Sequence, residues 1–391
     1  MNHRAPPLRA MLADLIGTPS VSSVNPQFDM GNHDVATLLA GWLEDLGFRV
    51  EIQSLPGRPG KYNVIGVLGR GSGGLVLAGH TDTVPCDAYH WSHDPFTLTE
   101  RDGHFSGLGC ADMKAFFALA LEAVRRTDPS KLHRPLIVVG TADEESSMSG
   151  ARALQERDLA AGRYAIIGEP TAMKPVRMHK GIFMEAIRVT GHAGHSSDPR
   201  LGLNALDGMH RVMQELMRFR EELRERYHDG AFRVPHPTLN FGHIHGGDNP
   251  NRICPDCELH IDLRTLPGMS IEAMREELRA RVRSALDGSG YSLEFEALFE
   301  GVEGLHTAAN AALVEAAERL TGHTAGSAVF STEGAFFQSL GLETLVLGPG
   351  CIEQAHQPDE SLSLERIEPF VTLLERLIHR FCIEPAPIRA A

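Results

Sequence analysis

Leu75-Val76-Leu77-Ala78-Gly79-His80-Thr81-Asp82 is the stretch from which the fold can be read. Leu75 to Ala78 are small or apolar with no polar alternation, the pattern of a strand buried on both faces in a parallel sheet. A histidine follows, and an aspartate two positions later, at the strand end where open α/β sheets collect their ligands. Neutral imidazole is a common ligand of divalent transition metals, and a nearby carboxylate can fix its tautomer through the other ring nitrogen. A histidine in a solvated loop beside an unrelated aspartate would look the same locally, so the other strand ends must decide.

They repeat the pattern. Leu136-Ile137-Val138-Val139-Gly140 is a second buried strand and runs into Thr141-Ala142-Asp143-Glu144-Glu145. Tyr164-Ala165-Ile166-Ile167-Gly168 is a third and runs into Glu169-Pro170. Thr344-Leu345-Val346-Leu347 is a fourth, followed by Gly348-Pro349-Gly350 and then His356. Asp112 precedes the Ala-, Leu- and Phe-rich helical run Met113 to Arg126, where it can be a helix cap or a metal-bridging carboxylate. Adjacent carboxylates beyond a strand are costly unless solvated or neutralised by cations.

Gathered at one sheet edge, His80, Asp112, Glu145, Glu169 and His356 offer two imidazoles and three carboxylates. That inventory suits two zinc-like divalent ions, each with one histidine and one terminal carboxylate and sharing the remaining carboxylate; cobalt or manganese would accept the same N/O donors. Glu144 is then the natural general base, moving a proton from the attacking water to a leaving nitrogen. Asp82 is expected behind His80, and Asp143 in solvent.

The rest of the chain sets the context. At 391 residues it exceeds what one core usually serves, so two domains are expected. With 42% hydrophobic and 23% charged residues it has an ordinary globular composition. A net charge of −14 argues against nucleic acid as a partner. Six cysteines without regular spacing point to reduced thiols, and Cys254-Pro255-Asp256-Cys257, lacking a second ligand pair, to a structural role. No apolar run of membrane-spanning length occurs, and the start to Ala13 lacks a signal-like apolar stretch, so a cytoplasmic location is expected. The tail from Ile383 to Ala391 is expected to fray.

From Ile182 the texture changes to strand, long helix, strand, strand, helix, strand, the order of a ferredoxin-like α+β sandwich. The expected architecture is a three-layer α/β/α catalytic domain with a mostly parallel sheet, formed by residues 1–181 and 299–391. Residues 182–298 are an inserted lid and dimerisation domain.

Taken together, His80-Thr81-Asp82-Thr83-Val84-Pro85, Gly107-Leu108-Gly109-Cys110-Ala111-Asp112-Met113-Lys114, Asp143-Glu144-Glu145 and Gly168-Glu169-Pro170-Thr171 resemble the M20 family of dinuclear zinc metallopeptidases and deacylases. The resemblance extends over nearly the whole chain. It implies Asp112 as the bridging ligand, His80 and Glu169 on one metal, Glu145 and His356 on the other, and a cis peptide between Asp112 and Met113. It also implies that His195, in Gly194-His195-Ser196-Ser197, stabilises the tetrahedral oxyanion, in the site of the other subunit of a homodimer. Asn251 and Arg264 are candidates for the substrate α-carboxylate, with Arg252 equally available, and Ser331 and Thr332 for the pocket on the amine side. The runs Gly348 to Glu360 and Asn251 to Arg264 look most like the branch acting on N2-acetylornithine, an activity that belongs to arginine biosynthesis. Other N-acyl-amino-acid deacylases, succinyl-diaminopimelate desuccinylases and metallo-dipeptidases share the metal site. A non-catalytic binding protein on this fold is the alternative of a different class; retention of all five ligands and Glu144 favours an enzyme.

Overall fold

Every residue of the strand Gly74–His80 is buried, between two parallel neighbours, Leu136–Thr141 and Gly162–Ile167. Glu343–Val346 adds a fourth parallel strand beside Gly162–Ile167. On the other side Tyr62–Leu68 and then Arg49–Ser54 continue the sheet antiparallel. This is the mainly parallel central sheet that the uninterrupted apolar runs predict. Arg49–Ser54 escapes a pattern search because it is an edge strand of polar composition, RVEIQS, half exposed along its length.

The computed structural model describes residues 5–159 and 161–385; residues 386–391 of the tail expected to fray, and the first four residues of the start, lie outside them. The chain forms two compact units. The first comprises Met1–Arg177, Thr307–Gly326 and Thr332–Ala391, and the second Met178–His306 with Ser327–Ser331. The second unit therefore reaches further at both ends than residues 182–298: its first strand begins at Gly181, its last, Ser292–Val302, runs past residue 298, and flanking residues on both sides belong to it. The chain enters it along Val176–His179 and leaves along Leu305–His306, two segments paired antiparallel.

In the first unit the two-residue period of a strand divides the helices unequally. Leu75, Leu77, Leu136, Val138, Tyr164, Ile166 and Leu345 share one core with the helices Leu8–Ile16, His33–Asp45, Ala115–Arg125, Ala312–Thr321 and Ile367–Ile378. Residues of the other parity, Val76, Ala78, Ile137, Val139, Ala165 and Ile167, are equally buried on the face covered by the short helices Ser149–Ala153, Glu156–Leu159 and Gly334–Ser339. Fully buried Phe116 and Phe117 each contribute roughly 1.5–3 kcal/mol by removal from water. Gly79 leaves room for Met113: a Cβ there would lie 2.0 Å from its Cε and displace the methionine side chain.

The second unit is a four-stranded antiparallel sheet in the order Thr238–Gly246, Asp256–Thr265, Gly181–Thr190, Ser292–Val302. Its helices, Ala205–Arg226 and Ile271–Ala285, complete the β-α-β-β-α-β succession. Cys257, Leu259, Ile261 and Leu263 point into the core with Val212, Leu216, Phe219, Leu278 and Val282. The intervening Glu258, His260, Asp262 and Arg264 are half-buried on the opposite face. Asn204 and Ser270 cap the two helices, accepting from the N–H groups of Leu206 at 3.0 Å and Ala273 at 3.3 Å.

Candidate metal centre

The C-terminal ends of the parallel strands bring the sequence-predicted ligands together within the first unit. His80 ends the central strand, Glu145 follows Leu136–Thr141, and Glu169 follows Gly162–Ile167. Asp112 comes from the loop before the helix Ala115–Arg125, which starts two residues later than Met113, and the Asp112-Met113 peptide is cis. His356 has a left-handed backbone, φ 58°, in the segment after Glu343–Val346.

Asp112 lies between the two imidazoles. Its Oδ1 is 3.1 Å from Nε2 of His80, and its Oδ2 is 3.5 Å from Nε2 of His356. Glu169 Oε1 stands 3.9 Å from His80 Nε2, and Glu145 Oε1 3.1 Å from His356 Nε2. Donor atoms of His80, Glu144 and Glu169 lie within 4.8 Å of one another, as do those of His80, Asp112 and Glu145. Glu144 thus stands among the candidate ligands rather than apart from them.

The electrostatics fit cations at this place. Burial pushes the Glu144 and Glu169 carboxyls well above the usual range; the charge of Glu145 adds to this at Glu144, and that of Asp112 at Glu169. At His80, burial favours the neutral ring, but the hydrogen bond to Asp112 and the charge of Glu169 override it and raise the imidazole well above its ordinary value. Hydrogen bonds to Asp112 and Glu145 push His356 up to about 10. Burial would raise Asp112 too, yet the two histidines hold it well below the usual carboxylate range. Positive charge placed among the carboxylates would relieve this repulsion, and imidazole nitrogens with carboxylate oxygens are the donors that zinc, cobalt and manganese take.

The residues around this set depart from expectation in two ways. Asp82 supports His80 through its main chain: Nδ1 of His80 donates to the Asp82 carbonyl at 3.0 Å, leaving Nε2 free to face Asp112. The Asp82 carboxylate is 3.8 Å from that nitrogen and instead accepts from the N–H groups of Glu144 at 3.2 Å and Glu145 at 3.1 Å. Burial pushes it up to about 6. Asp143, expected in solvent, is 3% exposed. It pairs with Lys61 Nζ at 2.6 Å and accepts from Ser22 Oγ at 3.0 Å and Ser149 Oγ at 3.1 Å. Of three consecutive acids, one anchors the turn and the other two are presented to the cluster.

Sequence reasoning missed two buried acids. Glu333, 0% exposed, accepts from Thr141 Oγ1 at 2.6 Å, and burial pushes it up to about 7. Glu360 is 1% exposed and accepts from the N–H groups of Ala111 at 2.6 Å and Asp112 at 2.9 Å. Burial pushes it up to about 8, with those N–H groups acting in the opposite sense.

The substrate candidates are dispersed. His195, Asn251, Arg264 and Ser331 belong to the second unit, and Thr332 to the first. Nδ1 of His195 accepts from the N–H of Ser197 at 3.2 Å, so the ring proton sits on Nε2 and that exposed edge is a donor. Arg264 is already held by Asp262, through Nε at 2.9 Å and Nη2 at 3.1 Å. That pairing was legible, since a strand places residues two apart on one face. Asn251 is exposed and its carbonyl accepts from Ser196 N–H at 3.1 Å. Ser331 Oγ donates to the Lys180 carbonyl at 2.7 Å, and buried Thr332 accepts from Gly334 N–H at 3.1 Å. Cys254 and Cys257 are buried free thiols, the former donating to the Asp256 carbonyl at 2.9 Å.

Comparison with known proteins places this geometry. The model of peptidase family M20/M25/M40 matches residues 76–380. The chain belongs to that family. It is 48% identical over 379 residues to an acetylornithine deacetylase of Pasteurella multocida (strain Pm70), covering 97% of this chain and 99% of that protein. It is 49% identical over 383 residues to an acetylornithine deacetylase of Edwardsiella ictaluri (strain 93-146), covering 98% and 100%. Among solved structures, a Staphylococcus aureus tripeptidase superposes with a TM-score of 0.75 at 20% identity over 95% of this chain and 98% of that one. A Bacillus subtilis protein described as a dinuclear metal binding peptidase of the M20 family superposes with a TM-score of 0.63 at 16% identity, over 95% and 98%. At these identities the structural matches establish the fold. Among the described residues, no helix is long and apolar enough to cross a membrane.

Proposed function

We propose that this M20-family hydrolase removes the acetyl group from N2-acetylornithine, giving ornithine and acetate, as a step of arginine biosynthesis in the cytoplasm. The observation that carries the reading is near-half identity, end to end, with two acetylornithine deacetylases. The buried two-histidine, multi-carboxylate cluster is the chemistry such a hydrolysis needs.

Two divalent ions, zinc by preference, would be held by these side chains, His80 and Glu169 serving one, Glu145 and His356 the other, and Asp112 both. When bound, the ions supply Lewis acidity, lowering the pKa of water and polarising the acyl carbonyl. Glu144, the carboxylate left over from that pairing, takes a proton from the attacking water and delivers it to the leaving α-nitrogen. Asp82 holds the backbone of Glu144 and Glu145 in place. His195 donates from Nε2 to the developing oxyanion, from the inserted domain of the second subunit of a homodimer. Asn251, Arg264, Ser331 and Thr332 form the substrate contacts; Arg264 can serve the α-carboxylate only by sharing its guanidinium with Asp262.

Acetate release from a panel of acylated amino acids by the zinc-loaded protein tests this. N2-acetylornithine should exceed N-acetyl-leucine in kcat/KM, because a pocket built for an ammonium leaves its polar groups unpaired against an apolar side chain. Equal values would refute the substrate assignment and leave a general N-acyl-amino-acid deacylase.

A further inference from the structure

The loop that carries Asp112 ends in a cradle of backbone N–H groups, and the acid that fills it is Glu360, four positions after His356. Oε1 of Glu360 accepts from Ala111 at 2.6 Å and Asp112 at 2.9 Å, and Oε2 from Gly109 at 3.1 Å. Successive N–H groups converging in this way form an anion-binding nest, here occupied by the chain's own carboxylate. Gly109 makes the nest possible: its φ is +90°, and a Cβ would meet Cδ of Lys114 at 2.9 Å.

The main chain of Glu360 is tied to the same loop. Its carbonyl accepts from Gly107 N–H at 3.1 Å and from Ser106 Oγ at 2.9 Å, and the next residue, Ser361, pairs with Ser106 in a short antiparallel ladder. Asp112 and His356 come from segments more than 200 residues apart in sequence, yet their side chains approach to 3.5 Å. His356 itself is half exposed, and its Nε2 faces Glu145 at 3.1 Å and Asp112 at 3.5 Å. From the His356 segment, the Glu360 side chain grips the backbone of the Asp112 loop.

We propose that Glu360 is a positioning residue that latches the Asp112 loop to the His356 segment and thereby sets the affinity of the metal centre. This rests on the metal roles given to Asp112 and His356 above, and extends them to a residue that contacts no ion.

The test is zinc binding by the full chain, measured by chelator competition for wild type, Glu360→Ala, His356→Ala and the double variant, with metal-free melting and far-UV circular dichroism recorded in parallel. Loss of an outer support to a metal ligand weakens binding roughly 10- to 100-fold, and that weakening is expected for Glu360→Ala with its circular dichroism unchanged. In the His356→Ala background the same substitution should weaken the remaining sites by less than it does in wild type, because one of the two ligands it orients is gone. Unchanged zinc affinity in Glu360→Ala, or fully independent effects in the double variant, would overturn the proposal. Should Glu360→Ala fail to fold, Glu360→Gln keeps an oxygen for Ala111 and Asp112 but sets an amide against Gly109 N–H. It should weaken zinc in the same direction, and wild-type affinity in that variant would overturn the latch. No substrate enters the measurement, so a wild type that binds zinc, shows the Glu360 effect and yet spares N2-acetylornithine refutes the substrate reading while supporting the latch. A wild type that takes up no zinc refutes both.

Discussion

Replacing Asp143 with Asn removes one of two carboxylates that hold the Lys61 ammonium in the floor of the metal centre. The side chains of Lys61 and Asp143 are 6% and 4% exposed and lie 2.6 Å apart, so water cannot substitute for the lost charge. Removing one partner of a buried pair costs about 3–5 kcal/mol. Asp29, 2.7 Å from the same nitrogen and 33% exposed, remains, which puts the expected loss near the lower end, about 3 kcal/mol. At roughly 2–4 °C per kcal/mol for a unit of this size, the melting temperature of Asp143→Asn should fall by roughly 6–12 °C. The double variant Lys61→Met with Asp143→Asn removes both charges and should recover much of that loss, since an apolar replacement of a buried pair is often neutral. Thermal melts at fixed protein and zinc concentration measure all three proteins. A melting temperature for Asp143→Asn equal to wild type, or a double variant less stable than Asp143→Asn alone, would refute the account of Asp143 as a buried anchor.

Further consequences concern pH and catalysis. His179 is fully buried, and burial lowers it from 6.5 to about 4. Because the unfolded chain takes up this proton first, the stability it contributes is complete above pH 6.5 and is lost as pH falls toward 4, by roughly 3 kcal/mol in all. Urea midpoints measured between pH 7 and 4 should therefore fall less steeply in His179→Gln, and an identical slope would show that the residue is not a neutral buried imidazole. Glu144→Gln should keep its metal and lose roughly 10²- to 10⁴-fold in kcat; loss of metal instead would make Glu144 a ligand. Mixing Glu144→Ala with His195→Ala protein should restore roughly a quarter of wild-type activity if His195 acts across a two-fold interface. Absence of recovery, with subunit exchange verified by mass spectrometry, would place His195 in its own subunit's site.

The central sheet and the gathering of the candidate ligands were legible because most of these residues stand at a point where a local pattern breaks. His80, Glu145 and Glu169 follow buried apolar strands, and Asp112 precedes a buried helix. The β-α-β-β-α-β succession was legible for the same reason, its strands alternating and its helices amphipathic. What stayed hidden depends on tertiary partners. Asp143 reads as a solvated acid because the lysine that pairs with it lies in another strand connection, at Lys61. Glu360 and Glu333 are acids in loops whose burial is decided by Asp112 and Ala111 in one case and Thr141 in the other. Asp82 was found, but the choice between its carbonyl and its carboxylate as partner for His80 turns on a difference between 3.0 and 3.8 Å, which spacing does not encode.

The metal centre is tested most directly by stripping the protein with a chelator and titrating zinc back while following acetate release from N2-acetylornithine. The stripped protein should be folded and inactive, and activity should return with zinc and level off at two ions per chain, measured by elemental analysis. Full turnover by the stripped protein, or a plateau with no bound metal, would contradict a metal-dependent hydrolysis built on His80, Asp112, Glu145, Glu169 and His356.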